Sequence, residues 1–291
     1  MKLNTLWFIV ILSAGIFFGE LYGCTTNTSS FVRTKELANT QAQQEIIIGG
    51  ESSTYPTMKI LADAYTATVK NTLVSFVPPN QLKTAIKSVK EGLLDICSMS
   101  EQFQPEENDG TLEYRAVAKE ALLVATHPSV EGIINLTTAN LKAIYSGTMK
   151  NWQQIGGPDA KIVVLDLPDN DPAKRLLRKY YQGKDLKNSP QAVIFKDEKD
   201  VITALQNTPY SIGTFSSGYA ISHHLAVNPL GLNGVEATPE NVQTGQYQMV
   251  RTIGLVSKKT TSEATEAFIN FANSKQAALA LRKFAFMSST Y

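Results

Sequence analysis

The chain has 291 residues, 43% of them hydrophobic, with 27 Lys and Arg against 26 Asp and Glu for a formal net charge of +1. That length can bury a sizeable core and suits one two-lobed unit or two domains. The near-neutral balance supplies no overall field for nucleic acid or for an acidic partner, so a charged ligand has to be held by local groups.

At the N-terminus, Lys2 precedes the apolar run "LWFIVILSAGIFF" and then "LYGC", which ends at Cys24. The run is too short and too early to belong to a folded core. It resembles a bacterial lipoprotein signal: Leu21, Gly23 and Cys24 match that pattern, whereas Glu20 and Tyr22 depart from it. The resemblance implies a signal peptide over residues 1–23, a lipid on Cys24 and an extracytoplasmic protein anchored to a membrane; an uncleaved anchor is the alternative. Residues 24–44 are polar without a sustained period and read as a tether. Lipid on Cys24 would leave Cys97 without a disulfide partner, and its setting "LLDICSM" predicts a buried thiol.

Beyond the tether, "EIIIGG" predicts a buried strand running into a turn, and "SSTYPTMKILADAYTATV" a helix with Met58, Leu61, Ala62 and Tyr65 on one face. The unit repeats as strand "TLVSFVPP", helix "NQLKTAIKSVKEG" and buried strand "LLDICSMS". A second series follows: the long strand in "RAVAKEALLVATHP", a helix in "LTTANLKAIYSG" capped by Thr137 or Thr138 and ended by Gly147, and the strand "KIVVLDL". Trp152 reads as a packing anchor. In "DLPDNDPAKRLLRKYY", Asp171 fits a helix N-cap and Pro172 the first helical position, while Asp166, Asp169 and Asp171 leave open a metal site, an anion site or a capped helix. Then come strand, helix and strand within "QAVIFKDEKDVITALQNTPYSIGTFSSGYAISH". A closing amphipathic helix carries Phe268, Phe271 and Ala272, with a break near Asn273 or Ser274. Strands alternating with helices predict a layered, largely parallel α/β protein.

Catalysis finds little support. His223 and His224 are adjacent and poorly placed to converge on one metal, His127 precedes a proline, and no nucleophile elbow, Walker loop or zinc spacing occurs.

Five segments in order carry a resemblance: "IIIGGESSTYPTMKILADAY", "KEGLLDICSMS", "LTTANLKAIYSGTMKNWQQIGGPDAKIVVLD", "YSIGTFSSGYA" and "TEAFINFANSKQAALAL". Together they resemble the phosphate-binding (PstS-like) family of extracytoplasmic solute-binding proteins of ABC importers. The resemblance implies a type II periplasmic-binding-protein fold, α/β, with two lobes that each hold a mixed, mostly parallel sheet flanked by helices. Lobe 1 would comprise residues 45–126 and 212–291, and lobe 2 residues 127–211, with the ligand in the cleft between them. It implies a monomer that binds phosphate or a similar oxyanion, without cofactor, metal or nucleic acid, and delivers it to a membrane permease.

The ligand residues implied are Gly50, Ser52, Ser53 and Thr54 in the first loop, Ser98 and Ser100 after the third strand, and Asn170 and Lys174 in the second lobe. Backbone N–H groups, hydroxyls and helix N-termini at such loops can bind an anion without a buried countercharge. The sequence departs from the family where its members carry an arginine and a Ser-Gly-Thr turn, for here stands "DLPDNDPAK"; a Gly-Ser loop is likewise replaced by "PPNQLKT". Lys83, Arg115, Lys174 and Arg175 are the basic residues that could substitute. The departures keep two alternatives open: a cationic or amine-bearing solute, and a sensor or interaction lipoprotein without a transport role.

Overall fold

The computed structural model describes residues 43–101 and 109–290. The expected signal peptide, the tether up to Ala42 and Cys24 lie outside the described residues.

Strand β1 (Gln44–Gly50) is followed by helix α1 (Tyr55–Thr66), β2 (Thr72–Phe76), α2 (Leu82–Glu91) and β3 (Ile96–Met99). β1 pairs in parallel with β2 on one side and β3 on the other. Alternation along β1 sends Ile46 and Ile48 into the core shared with α1, and Ile47 to the opposite core under α2. Both faces are covered, which is why the strand reads as a continuous apolar run. α1 buries Met58, Leu61, Ala62 and Tyr65, the face that the spacing predicts.

The next strand, β4 (Leu112–Thr126), is fifteen residues long and joins the two halves of the molecule. Then come β5 (Asn135–Leu136), α3 (Thr138–Ser146), β6 (Val163–Asp166), α4 (Pro172–Leu177), β7 (Val193–Ile194), α5 (Glu198–Asn207) and β8 (Ser211–Ser216). α6 (Ser217–Ser222), β9 (Asn228–Pro229), β10 (Gly231–Leu232), α7 (Pro239–Gln243), β11 (Val250–Lys258), α8 (Glu263–Ala272), α9 (Lys275–Arg282) and β12 (Phe286–Ser288) complete the chain. From Leu112 to Ala121, β4 pairs antiparallel with β11; from Leu122 to Thr126 it pairs antiparallel with β8. The strand order is therefore β2-β1-β3-β11-β4-β8-β6-β7.

The protein is a two-lobed α/β molecule, as expected. One core draws on residues between Ala121 and Met249, with Trp152, Tyr145 and Phe215 fully buried. Trp152 also donates its indole N–H to the Tyr210 carbonyl at 2.9 Å. The remaining cores combine residues up to Ala118 with residues from Ile253 onward, so the first lobe is built from both ends of the chain.

Caps follow the sequence closely. Thr137 caps α3 in a box with Asn140, and Gly147 ends that helix with φ +77°. The break in the C-terminal helix falls at Asn273–Ser274, where Ser274 caps α9. Several elements have no counterpart in the sequence reading: the short strands β5, β9 and β10, helices α6 and α7, the strand β11 between β3 and β4, and the terminal strand β12.

Candidate functional site

A groove of about 620 Å³ lies between the lobes. One wall is the loop that leaves β1, Glu51 to Ser53 with Pro56, together with Asn80, Gln81 and Leu82 at the start of α2. The other wall is the start of α4 (Asn170, Asp171, Pro172) and the start of α5 (Lys196 to Lys199). Tyr219 also lines the groove, and the buried Ser216 and Arg251 form its floor.

The β1 loop is shaped by close packing. Gly50 adopts φ +138°, and a methyl group there would lie 2.1 Å from the Ser98 carbonyl oxygen. Only glycine permits this approach. The Thr54 hydroxyl donates to the Glu51 carbonyl at 2.8 Å and shares a 2.7 Å hydrogen bond with Ser98 Oγ, itself 3.3 Å from the Gly49 carbonyl. Thr54 and Ser98 are thus buried and bonded to each other beneath the loop, while Ser52 and Ser53 line the groove.

Ser100 is 2% exposed and lies outside the groove lining. Its N–H donates to Glu51 Oε2 at 2.6 Å, and its hydroxyl has no partner among the described residues. Cys97 is buried beside this network, and burial, with Glu51 adding to it, pushes its thiol up to about 12. That is the setting of a structural cysteine.

Across the groove, the three aspartates take three separate roles. Asp171 caps α4, accepting from the N–H groups of Ala173 at 2.8 Å and Lys174 at 3.3 Å. Asp169 is exposed and pairs with Arg178 at 2.7 Å. Asp166 is buried against the Lys174 ammonium, which also reaches Asn188 Oδ1 at 3.2 Å and lies 4.9 Å from the Tyr145 ring centre. The expectation that Lys174 meets ligand is corrected here: its side chain points into the second lobe, because the Asp166 carboxylate is there to match it. Among the described residues no group of metal-binding side chains occurs. Asn170 does line the groove, and its carbonyl accepts from Arg175 at 2.8 Å. Arg175 also reaches across to Glu101 of the first lobe at 2.8 Å, both side chains being about half exposed. Lys83 is exposed outside the groove lining, and Arg115 pairs with Glu113 and Glu266.

Beneath the groove lies a buried ionic cluster with no precedent in the sequence reading. Arg251 Nε donates to Glu120 Oε2 at 2.8 Å and Nη1 donates to Glu198 Oε1, while Nη2 lies 3.4 Å from both Glu198 Oε2 and the Ser53 carbonyl. Ser216 donates its hydroxyl to Glu120 and its N–H to Glu198 Oε2 at 3.0 Å. Burial works against the Arg251 charge, but Glu120 and then Glu198 outweigh it and keep the guanidinium protonated. Burial raises the Glu120 carboxyl above its ordinary value, and burial followed by Glu198 raises Asp171 to about 6. The readable signal was a charge inside an apolar strand, Glu120 in "AKEALLVAT" and Arg251 in "MVRTIGLV".

Chemically, the first-lobe wall offers the hydroxyls of Ser52 and Ser53 and the amides of Asn80 and Gln81. The second-lobe wall offers carboxylates at depth and the exposed Lys196 and Lys199 at the rim. The groove can hold a polar solute by hydrogen bonds.

The model of the PBP superfamily domain matches residues 36–276. The chain is 26% identical over 244 residues to the phosphate-binding protein PstS of Borreliella burgdorferi, covering 81% of this chain and 87% of that one. It is 24% identical over 251 residues to PstS of Bacillus subtilis, covering 85% and 81%. Among solved structures, a phosphate ABC-transporter substrate-binding protein from Clostridium perfringens with bound phosphate superposes with a TM-score of 0.73. Its identity is 25%, covering 84% of this chain and 99% of that one.

Proposed function

The chain belongs to the PBP superfamily, and from that premise we propose that it is the extracytoplasmic solute-binding component of an ABC importer, taking phosphate or a related oxyanion into the groove between its lobes. It is a binding protein and not an enzyme. The observation that carries the reading is the meeting of the Ser52–Ser53 loop with the starts of α4 and α5 across one groove, in a chain similar along most of its length to proteins named for phosphate binding.

In this reading Ser52 and Ser53 donate to the anion from the first lobe and Asn170 from the second, while Gly50, Thr54 and Ser98 hold the loop in shape. The lobes close on the ligand and present the closed form to a permease. In this reading the chain passes between the lobes inside β4 near Ala121 and returns at the start of β11 near Val250, a division supported by the single core that residues from Ala121 to Met249 share. Lipid on Cys24, the tether and a monomeric state complete the proposal.

A second reading keeps the fold and changes the solute. Among the described residues four carboxylates line the groove, and the one buried cation there, Arg251, is already matched by two of the buried carboxylates around it. That balance favours a solute with a cationic or hydrogen-donating group.

A ligand that binds only the native state raises the melting temperature by mass action. Phosphate is therefore expected to stabilise the protein, in a panel that includes sulfate, molybdate, amino acids and divalent cations. Ser53→Asp is expected to abolish the shift by repulsion, and Asp169→Asn to leave it unchanged, since Asp169 points away to Arg178. No shift and no heat of binding with phosphate up to millimolar concentration, with a response to an amine or cation, would select the second reading.

A further inference from the structure

Helix α6 has two working faces. Tyr219 lines the groove between the lobes, whereas Ser217 and Ile221 line a separate apolar trough of about 850 Å³ on the other side. Alternation along β4 makes the same division: Glu120 enters the ionic cluster, and Ala121 and Leu123 form the trough floor.

At Pro239, Ala285 and Met287 the trough passes into a second cavity of about 490 Å³. Lys119, Lys275 and Arg282 border that cavity, and among the described residues no carboxylate does. Apolar side chains stand open along the way: Ile134 is 81% exposed, Ile221 45% and Leu279 64%. A continuous apolar surface of this kind marks a binding surface more often than an idle one.

One polar group inside the trough narrows the choice of occupant. Ser217 is 4% exposed, yet its hydroxyl has no hydrogen-bond partner among the described residues. A buried donor left unpaired is costly, so it marks a place where an incoming molecule supplies an acceptor. An acyl chain in the trough offers none. A polypeptide offers a carbonyl at every residue, and its carboxylates would complement the basic cavity.

We propose that the trough and the basic cavity together dock a polypeptide segment of a partner, with apolar side chains in the trough, a backbone carbonyl on Ser217 Oγ and acidic residues against Lys119 and Arg282. This surface is distinct from the solute groove and does not depend on which solute that groove takes.

The test is fluorescence polarisation of the full chain with the labelled peptide LVLVGDEE, compared with the charge-reversed LVLVGKKK and with dodecanoate as competitor. LVLVGDEE is expected to bind saturably and at least tenfold tighter than LVLVGKKK. Ile221→Glu, and separately the pair Lys119→Glu and Arg282→Glu, are each expected to weaken it at least tenfold. All three changes are at exposed positions, and an unchanged melting temperature shows that the variants fold. Equal binding of the two peptides, no binding, or unchanged affinity in both variants overturns the proposal. Displacement of LVLVGDEE by dodecanoate at equal concentration overturns it in favour of a lipid-binding trough.

Discussion

Lys174 and Asp166 form an ion pair with neither side chain exposed by more than 3%. Burial lowers the Lys174 ammonium below its ordinary value and Asp166 opposes that. Breaking such a pair leaves one charge uncompensated in the interior. Lys174→Met is therefore expected to destabilise the protein by about 3 kcal/mol in urea unfolding, and the double variant with Asp166→Leu to recover much of that loss. Asp171 gives a prediction of opposite character. Its native value of about 6 lies above the ordinary 3.8, so between those values the native state holds more of this proton than the unfolded chain does. Its contribution to stability is complete below about 4 and is lost as pH rises through about 6. Asp171→Asn keeps a capping oxygen and is expected to flatten that slope when urea midpoints at pH 4.5 and pH 7 are compared with those of the parent. The cap itself was legible in the sequence, because Asp followed by Pro is a local signal. The direction of Lys174 was not, since its partner lies eight residues back at the end of a strand and only packing brings them together.

Among the elements, the turn from β1 into α1 is the most constrained. Gly50→Ala places a methyl 2.1 Å from the Ser98 carbonyl at φ +138°. The strand ends have to move apart, so both stability and solute binding are expected to fall together, by about 2 kcal/mol or more in unfolding. The elements most open in the sequence were those with one uninterrupted period. β1, α1, α3 and the paired C-terminal helices fall where the sequence places them. β11 was missed although it lies between β3 and β4, because Arg251 interrupts its apolar run and the preceding residues 228–249 are rich in turn formers. The same arginine that hides the strand supports the floor of the groove. That Ser52, Ser53 and Asn170 line the groove was legible because loops at strand ends are local features. Lys196–Glu198, Ser216 and Arg251 reach the site only through tertiary packing.

For the molecule as a whole, the charge cluster under the groove ties both walls together: Glu198 begins the second-lobe helix α5, and Arg251 also approaches the Ser53 carbonyl of the first-lobe loop. Two carboxylates share one guanidinium there, so the two possible losses are unequal. Arg251→Met strands both carboxylates in the interior and is expected to cost about 3–5 kcal/mol. Glu198→Gln leaves a one-to-one pair with Glu120 and is expected to change stability by no more than about 1 kcal/mol. It also removes negative charge beside the solute, so calorimetry should find phosphate bound more tightly. A Glu198→Gln variant that gains no phosphate affinity and loses a response to an amine or cation would argue for the cationic or amine-bearing solute.

The sharing of β4 and β11 between lobes also bears on how the chain comes to be folded. The second core is drawn from one unbroken stretch, Ala121 to Met249, whereas β3 of the first lobe has β11, more than 150 positions later, as its neighbour. Contacts of such long sequence separation form slowly, and a growing chain cannot make them until its last quarter has emerged. The middle of the protein can therefore condense while β1, β2 and β3 still wait, with their edge toward β11 open. The half that carries the Ser52–Ser53 loop is the last to be completed, and its strands are the ones most exposed to mispairing during synthesis and export.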